Sequence, residues 1–313
     1  MNNQLKNILL FLTASCIWGT TWIAIKFQLG DVAPIWSLVY RFCIAFCLMM
    51  VFCKMKGVAL TFNRREHLGI ALQALLMFSL NFYLFYLATA YFVSGIIAVF
   101  FAGVMIANII FGRIFLKSPI NPRSVIGALM GLAGLFLIIW NEIVRLEDKD
   151  FAYLGMGIAL ALGGVISASL GQLFAISNSR AGIPTLASSA IGFGYGALFT
   201  FILALSLGEP LTFSLQPQYV LSLLYLAIFG TIIGFMSFLT LVQRIGHDKA
   251  SYAFVLLPII AMAISSVFED FTWTLQVFCG MGLVLLGNVF VLAAKARGAQ
   301  PVKAEISEIQ KAA

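Results

Sequence analysis

Ten runs of about twenty apolar residues follow one another along this chain, near 6–27, 34–53, 67–88, 90–111, 122–140, 152–176, 183–207, 218–241, 249–268 and 273–294. About 20 such residues are what a helix needs to cross the hydrocarbon of a bilayer. Backbone groups in lipid must bond internally, so a spanning segment is a helix or part of a closed barrel. The runs lack the period-two alternation of barrel strands, which leaves helices. Composition agrees: 62% of the 313 residues are hydrophobic and 10% are charged, and the mean hydropathy is +1.02. Soluble domains carry about 25% charged residues, so too little polar surface exists here to cover a globule. A soluble enzyme and a nucleic-acid-binding domain are excluded. The expected fold is an all-α integral membrane protein of ten transmembrane helices.

The net charge of +7 reads as an orientation signal once its distribution is followed. With a cytoplasmic N-terminus and ten alternating crossings, the inner connections and tail hold all but four of the nineteen basic residues. Lys26, Arg145 and Lys149 fall outside and Arg41 falls within a span. Orientation follows the Lys and Arg bias, so both termini are expected in the cytoplasm. The basic tail at 295–313 then lies beside an anionic leaflet.

Residues 12–16 (LTASC) faintly resemble a lipoprotein cleavage site. The apolar run continues through Trp18, Trp22 and Ile25, so the segment is expected to be the first span. Cys16, Cys43, Cys47, Cys53 and Cys279 lie in or at the ends of spans without metal-ligand spacing, and read as small packing residues. His67 and His247 have no metal-binding neighbours, and no GxxxxGK[ST] run is present to cradle a nucleotide. No Ser/His or metal cluster can be named for an enzyme. No catalytic residue, cofactor or metal is expected.

The connection at 141–151 falls after five spans and divides the chain almost in half. Because five is odd, two homologous halves would have opposite orientations, the inverted-repeat architecture of many transporters. The expected organisation is a five-helix repeat over 1–140, an outer linker at 141–151, a second repeat over 152–294, and a cytoplasmic tail at 295–313. Gly127 and Gly134 in the fifth span, and Gly280 and Gly287 in the tenth, have the same spacing of seven. Each pair lies near one face of its helix, where a missing side chain permits close helix approach.

Trp18-Gly19, Trp22, Lys26, Pro34 and Arg41-Phe42 resemble the opening of EamA-type drug/metabolite transporters. Ser94-Gly95 through Gly112, with Ile126-Gly127 and Gly131, is similar to the end of that family's first repeat. The second half is closer: Lys249-Ala250-Ser251-Tyr252-Ala253, Pro258, Ser265, Phe268-Glu269, Trp273-Thr274 and Gly287-Asn288 follow one subgroup's pattern. The usual first-repeat proline near Met105 and glutamate near Ser118 are both missing. The resemblance implies ten helices in two repeats, a place in the bacterial inner membrane, and export of small metabolites, amino acids or drug-like amphipaths from the cytoplasm.

Residues that could face a solute are few. Arg41 lies seven residues past Pro34, about 10 Å from the outer end of its helix. Buried ionisable groups in membranes are costly and point to function. Two roles fit Arg41: contact with a solute anion, or snorkelling or pairing with Asp31 or Glu269 to lock helix ends. On ideal helices, Ser15, Trp18, Trp22 and Lys26 share a face, as do Gln73, Met77, Asn81 and Leu84, and Ser94, Phe101, Met105 and Asn108. Such mixed stripes can line a pathway or bond neighbouring helices. Gln172 and Asn288 are lesser candidates. The ninth span aligns Ser251, Pro258, Met262, Ser265 and Glu269, and Pro258 should kink it or free a carbonyl.

The expected pathway is therefore Trp18, Trp22, Arg41, Gln73, Asn81, Phe101, Asn108, Pro258 and Ser265, with Glu269 as the candidate for coupling. No acid lies near the centre of any span, so uncoupled movement or exchange is expected in place of obligatory proton antiport. The expected partners are a small-molecule solute and the lipid bilayer.

Overall fold

The computed structural model describes residues 3–118, 120–145, 151–269 and 271–312. Among these there is no strand. The helices are α1 (Asn3–Lys26), α2 (Pro34–Met55), α3 (Arg64–Ala88), α4 (Ser94–Leu116), α5 (Pro122–Arg145), α6 (Phe151–Arg180), α7 (Thr185–Ser206), α8 (Pro217–Ile245), α9 (Ala253–Phe268) and α10 (Leu275–Ala312). A helical turn, His247–Ala250, precedes α9. Residues 146–150 of the expected linker, and Asp270, lie outside the described residues. The end of the bundle where α1 finishes is called upper here, and the end where it begins lower.

Local chemistry sets many of the boundaries. Pro34 and Pro217 open α2 and α8, where a missing N–H costs nothing. Asn63 caps α3, accepting from the Arg65 and Glu66 N–H groups while Glu66 accepts from the Asn63 N–H. Gly246, at φ 84°, ends α8 in a conformation that a side chain would strain.

Among the described residues, nine helices are long and apolar enough to cross a bilayer. The exception is α9, an apolar helix of only 16 residues. It spans about 24 Å at 1.5 Å per residue, short of the roughly 30 Å of hydrocarbon. The apolar run at 249–268 loses its first residues to the His247–Ala250 turn, so the helix proper starts at Ala253. Pro258 sits inside α9 without ending it.

The two halves are built alike and packed reciprocally. Here α1 packs on α8 and α9, and α6 packs on α3 and α4. The second helices meet each other, with Trp36 edge-on to Phe201 at 5.8 Å and Phe42 stacked on Phe193 at 6.1 Å. The fifth helices meet at the two glycine pairs. A Cβ on Gly127 would lie 2.5 Å from the Gly287 carbonyl oxygen, and one on Gly287 would lie 2.4 Å from that of Gly127. For Gly134 and Gly280 the values are 2.4 and 2.7 Å. The expected close approach is thus between these two helices, backbone against backbone. In both contacts residue numbers rise on one helix as they fall on the other, so matching helices of the two halves run antiparallel.

The third helix of each half contains a π-helical stretch, Leu75–Leu80 in α3 and Tyr225–Ile233 in α8. In α8 the Thr231 hydroxyl donates to the Leu226 carbonyl five residues back, at 2.8 Å. The fourth helix of the first half breaks at Gly103, whose N–H donates to the Phe100 carbonyl at 2.8 Å. This break stands two residues from Met105 and needs no proline.

Candidate functional site

Two charged side chains are buried in the upper half, and their surroundings differ. Glu269, at the end of α9, is 7% exposed. One carboxylate oxygen accepts the Ser94 backbone N–H at 2.8 Å and the Ser265 hydroxyl at 2.6 Å, and it also bonds the Ser94 hydroxyl. Ser265 in turn accepts the Gly95 N–H at 2.7 Å. Ser94 and Gly95 open α4, so the carboxylate meets donors that no helical carbonyl can satisfy, at the positive end of the helix dipole. Lys26 at the end of α1 approaches the other oxygen at 3.7 Å and donates to the Thr89 and Phe92 carbonyls at 2.8 and 3.2 Å. One acidic residue thereby ties α1, α4, α9 and the α3–α4 connection together at the upper end.

Arg41 in α2 is 3% exposed and forms no ion pair among the described residues. It meets neither Asp31 nor Glu269. Its Nε donates to the Thr231 hydroxyl at 3.0 Å and its Nη1 to the Tyr86 hydroxyl at 3.4 Å. The guanidinium lies over the Phe82 ring at 4.7 Å. A cation over an aromatic face gains about 0.5–2 kcal/mol, whereas burying an unpaired charge costs several kcal/mol. These neutral groups orient the guanidinium and leave its charge uncompensated.

Tyr86 carries the contact upward. Its hydroxyl donates to Gln28 Oε1 at 2.9 Å, and the buried Gln28 Nε2 has no partner. Gln28 lines a cavity of about 150 Å³ at the upper end, shared with Phe27, Asp31, Gln216 and Tyr219. Asp31 accepts from the Gln216 amide at 3.0 Å. A larger, apolar cavity of about 260 Å³ lies between α4, α5, α6 and α10. Asn288 borders it, with its amide nitrogen unpartnered.

The remaining pathway candidates fall into three groups. Trp18 stacks on Phe254 at 5.2 Å and donates to the Gly230 carbonyl at 3.1 Å, joining α1 to α8 and α9. Trp22 and Phe101 sit 5.6 Å apart in a cluster with Phe85, and the buried Trp22 N–H has no partner. Gln73 and Asn108 are tied to α6. Gln73 accepts from Asn178 at 2.8 Å, and Asn108 bonds Gln172 at 2.9 Å and Ser169 at 2.6 Å. Asn81 is buried just past the π segment of α3, and Pro258 is buried within α9. Only Ser265 shares a hydrogen-bonded cluster with Glu269, and Arg41 stands apart from both.

Gln28, Tyr86 and Thr231 belong to the Arg41 site and were not among the expected residues. Tyr86 stands in an aromatic stretch that reads as core, and Gln28 in what reads as a loop.

The sequence profile of the EamA-like transporter family matches residues 5–140 and 155–293, one match in each half. The chain belongs to this family and is a multi-pass membrane protein. It is 28% identical over 284 residues to the uncharacterized inner membrane transporter YedA of Escherichia coli, covering 89% of this chain and 88% of that protein. It is 24% identical to protein PagO of Salmonella typhimurium, over 85% of this chain and 84% of that one. An uncharacterized transporter of Buchnera aphidicola is 25% identical over 81% of this chain and 83% of its own. A crystal structure covering 93% of this chain and 98% of its own superposes with a TM-score of 0.67 at 16% identity, and shows the same fold.

Proposed function

We propose that this protein is a secondary transporter that exports small metabolites, amino acids or drug-like amphipathic solutes across the bacterial inner membrane by alternating access. In this reading α9 is the tenth crossing, both termini are cytoplasmic, the lower end faces the cytoplasm, and Glu269 closes the outer end. Trp18, Trp22, Arg41, Gln73, Asn81, Phe101, Asn108, Pro258 and Ser265 line the route or hold its walls. The observation that carries it is the Glu269 cluster. It joins helices of both halves at the upper end, through bonds that a rocking of one half against the other would break together. The short, proline-containing α9 and the broken α4 suit such movement.

The test traps the closed end. In a cysteine-free background, Ser94→Cys with Ser265→Cys replaces two hydroxyls that stand 3.0 Å apart. Oxidation should abolish solute flux in proteoliposomes and reduction should restore it, while either single variant responds to neither. Full flux through the oxidised protein would overturn the proposal. Single cysteines at Lys149 and Arg65 should label from opposite sides of the membrane, and labelling of both from outside would remove the ten-crossing topology. Flux should run down a solute gradient without an imposed pH gradient. Concentrative uptake driven by a pH gradient alone, and lost in Glu269→Gln, would make the protein a proton antiporter.

A further inference from the structure

We propose that Arg41 and Gln28 form a binding site for the carboxylate of the transported solute, and that the cavity above Gln28 is its exit. This inference rests on the transporter reading and names the chemistry of what is carried.

Three observations converge on it. The first is charge: Arg41 is 3% exposed and has no anionic partner among the described residues. A buried cation in that state attracts an anion far more strongly than an exposed one, because little solvent screens it. The second is the arrangement of donors. The Nε and Nη1 nitrogens meet neutral oxygens, and Nη2 donates to no described group. Nearby, Gln28 Nε2 is a buried donor without a partner. Tyr86 stands between them, accepting from Arg41 and donating to Gln28. Its hydroxyl can therefore turn from one to the other as an anion arrives. The third is access: Gln28 both borders the upper cavity and bonds Tyr86, so it stands between that cavity and the Tyr86–Arg41 pair.

A carboxylate suits these donors for a geometric reason. The planar guanidinium presents paired N–H groups that match the two oxygens of a carboxylate. The Gln28 amide supplies a further bond to the outer oxygen. A halide would use the charge but not the fork, and a neutral amide would use neither. The Phe82 ring against the guanidinium, and Phe27 in the cavity wall, leave apolar surface for the body of the solute.

The experiment uses the purified full-length protein in nanodiscs and measures thermal melting with formate, benzoate and phenylacetate. Each is compared with its own neutral amide and with sodium chloride at equal concentration. At least one carboxylate should raise the melting temperature above both controls. Arg41→Gln should weaken its apparent affinity by about 10–100-fold, as the loss of a charged hydrogen-bonding partner does. Gln28→Leu, which leaves the charge in place, should weaken it by about tenfold. Should Arg41→Gln fail to fold, Gln28→Leu and Arg41→Lys carry the test. Arg41→Lys keeps the charge without the fork and should also lose affinity.

If the carboxylates, their amides and chloride stabilise equally, or if the variants keep the carboxylate preference, the site is overturned. The outcomes separate the two readings. An Arg41-dependent preference in a protein that moves no solute would leave the site standing and remove the transporter. Solute flux without any carboxylate preference would do the reverse.

Discussion

Glu269 and Arg41 are both charged, both buried and both in the upper half of the bundle, yet they are held in opposite ways. Glu269 receives two hydroxyls, a backbone N–H and a lysine, and the Ser94 N–H donates to nothing else among the described residues. Arg41 touches groups that are already satisfied: Thr231 bonds its own helix at Leu226, and Tyr86 bonds Gln28. Removing Glu269 would leave the Ser94 N–H without an acceptor. Removing Arg41 would leave every neighbour with its other bond intact. The first arrangement is what stability requires of a buried charge, and the second is what a site awaiting a ligand looks like.

Stability measurements on single variants can break this contrast, and melting in a fixed detergent would read them. Glu269→Ala should cost the most, about 2–4 kcal/mol, because it removes three hydrogen bonds to a charged group and leaves the Ser94 N–H without an acceptor. Ser94→Ala should cost about 1 kcal/mol, since one hydroxyl bond is lost while the backbone N–H keeps its acceptor. Lys26→Met should cost less than about 1 kcal/mol, because the lysine is 33% exposed and water screens the pair. Arg41→Met should change stability least, or raise it slightly, while carboxylate binding is lost. If Arg41→Met melts as low as Glu269→Ala, Arg41 is a structural lock and the contrast fails.

The sequence made the spans legible because a bilayer demands length and apolarity, both of which can be counted along the chain. The Gly127–Gly134 and Gly280–Gly287 pairs were legible for a similar reason: a spacing of seven returns to nearly the same face of a helix. The mixed stripe of α3 was less so. Its shared face was drawn for an unbroken α-helix, and the π stretch at Leu75–Leu80 intervenes between Gln73 and Asn81. A π-bulge adds about one residue, or roughly 100° of rotation. Nothing in the local composition announces it. Arg41 could be picked out as a lone charge in a span, but its partners could not. Tyr86 and Thr231 come from α3 and α8, 45 and 190 residues away. The length of α9 was misjudged because hydropathy records apolar residues without showing where a helix begins.

The reciprocal glycine crossing of α5 and α10 has a consequence for energetics. Exchanging the roles of the two halves turns the Gly127–Gly287 contact into the Gly134–Gly280 contact, and the second into the first. A pair of contacts that exchange in this way has the same energy before and after, so together they favour neither conformation. The pair acts as a fulcrum, bearing load without tilting the balance. Preference for one state must then come from residues with no counterpart in the other half, and Arg41 and Glu269 are such weights: the position of Arg41, eighth in α2, is held in α7 by Gly192.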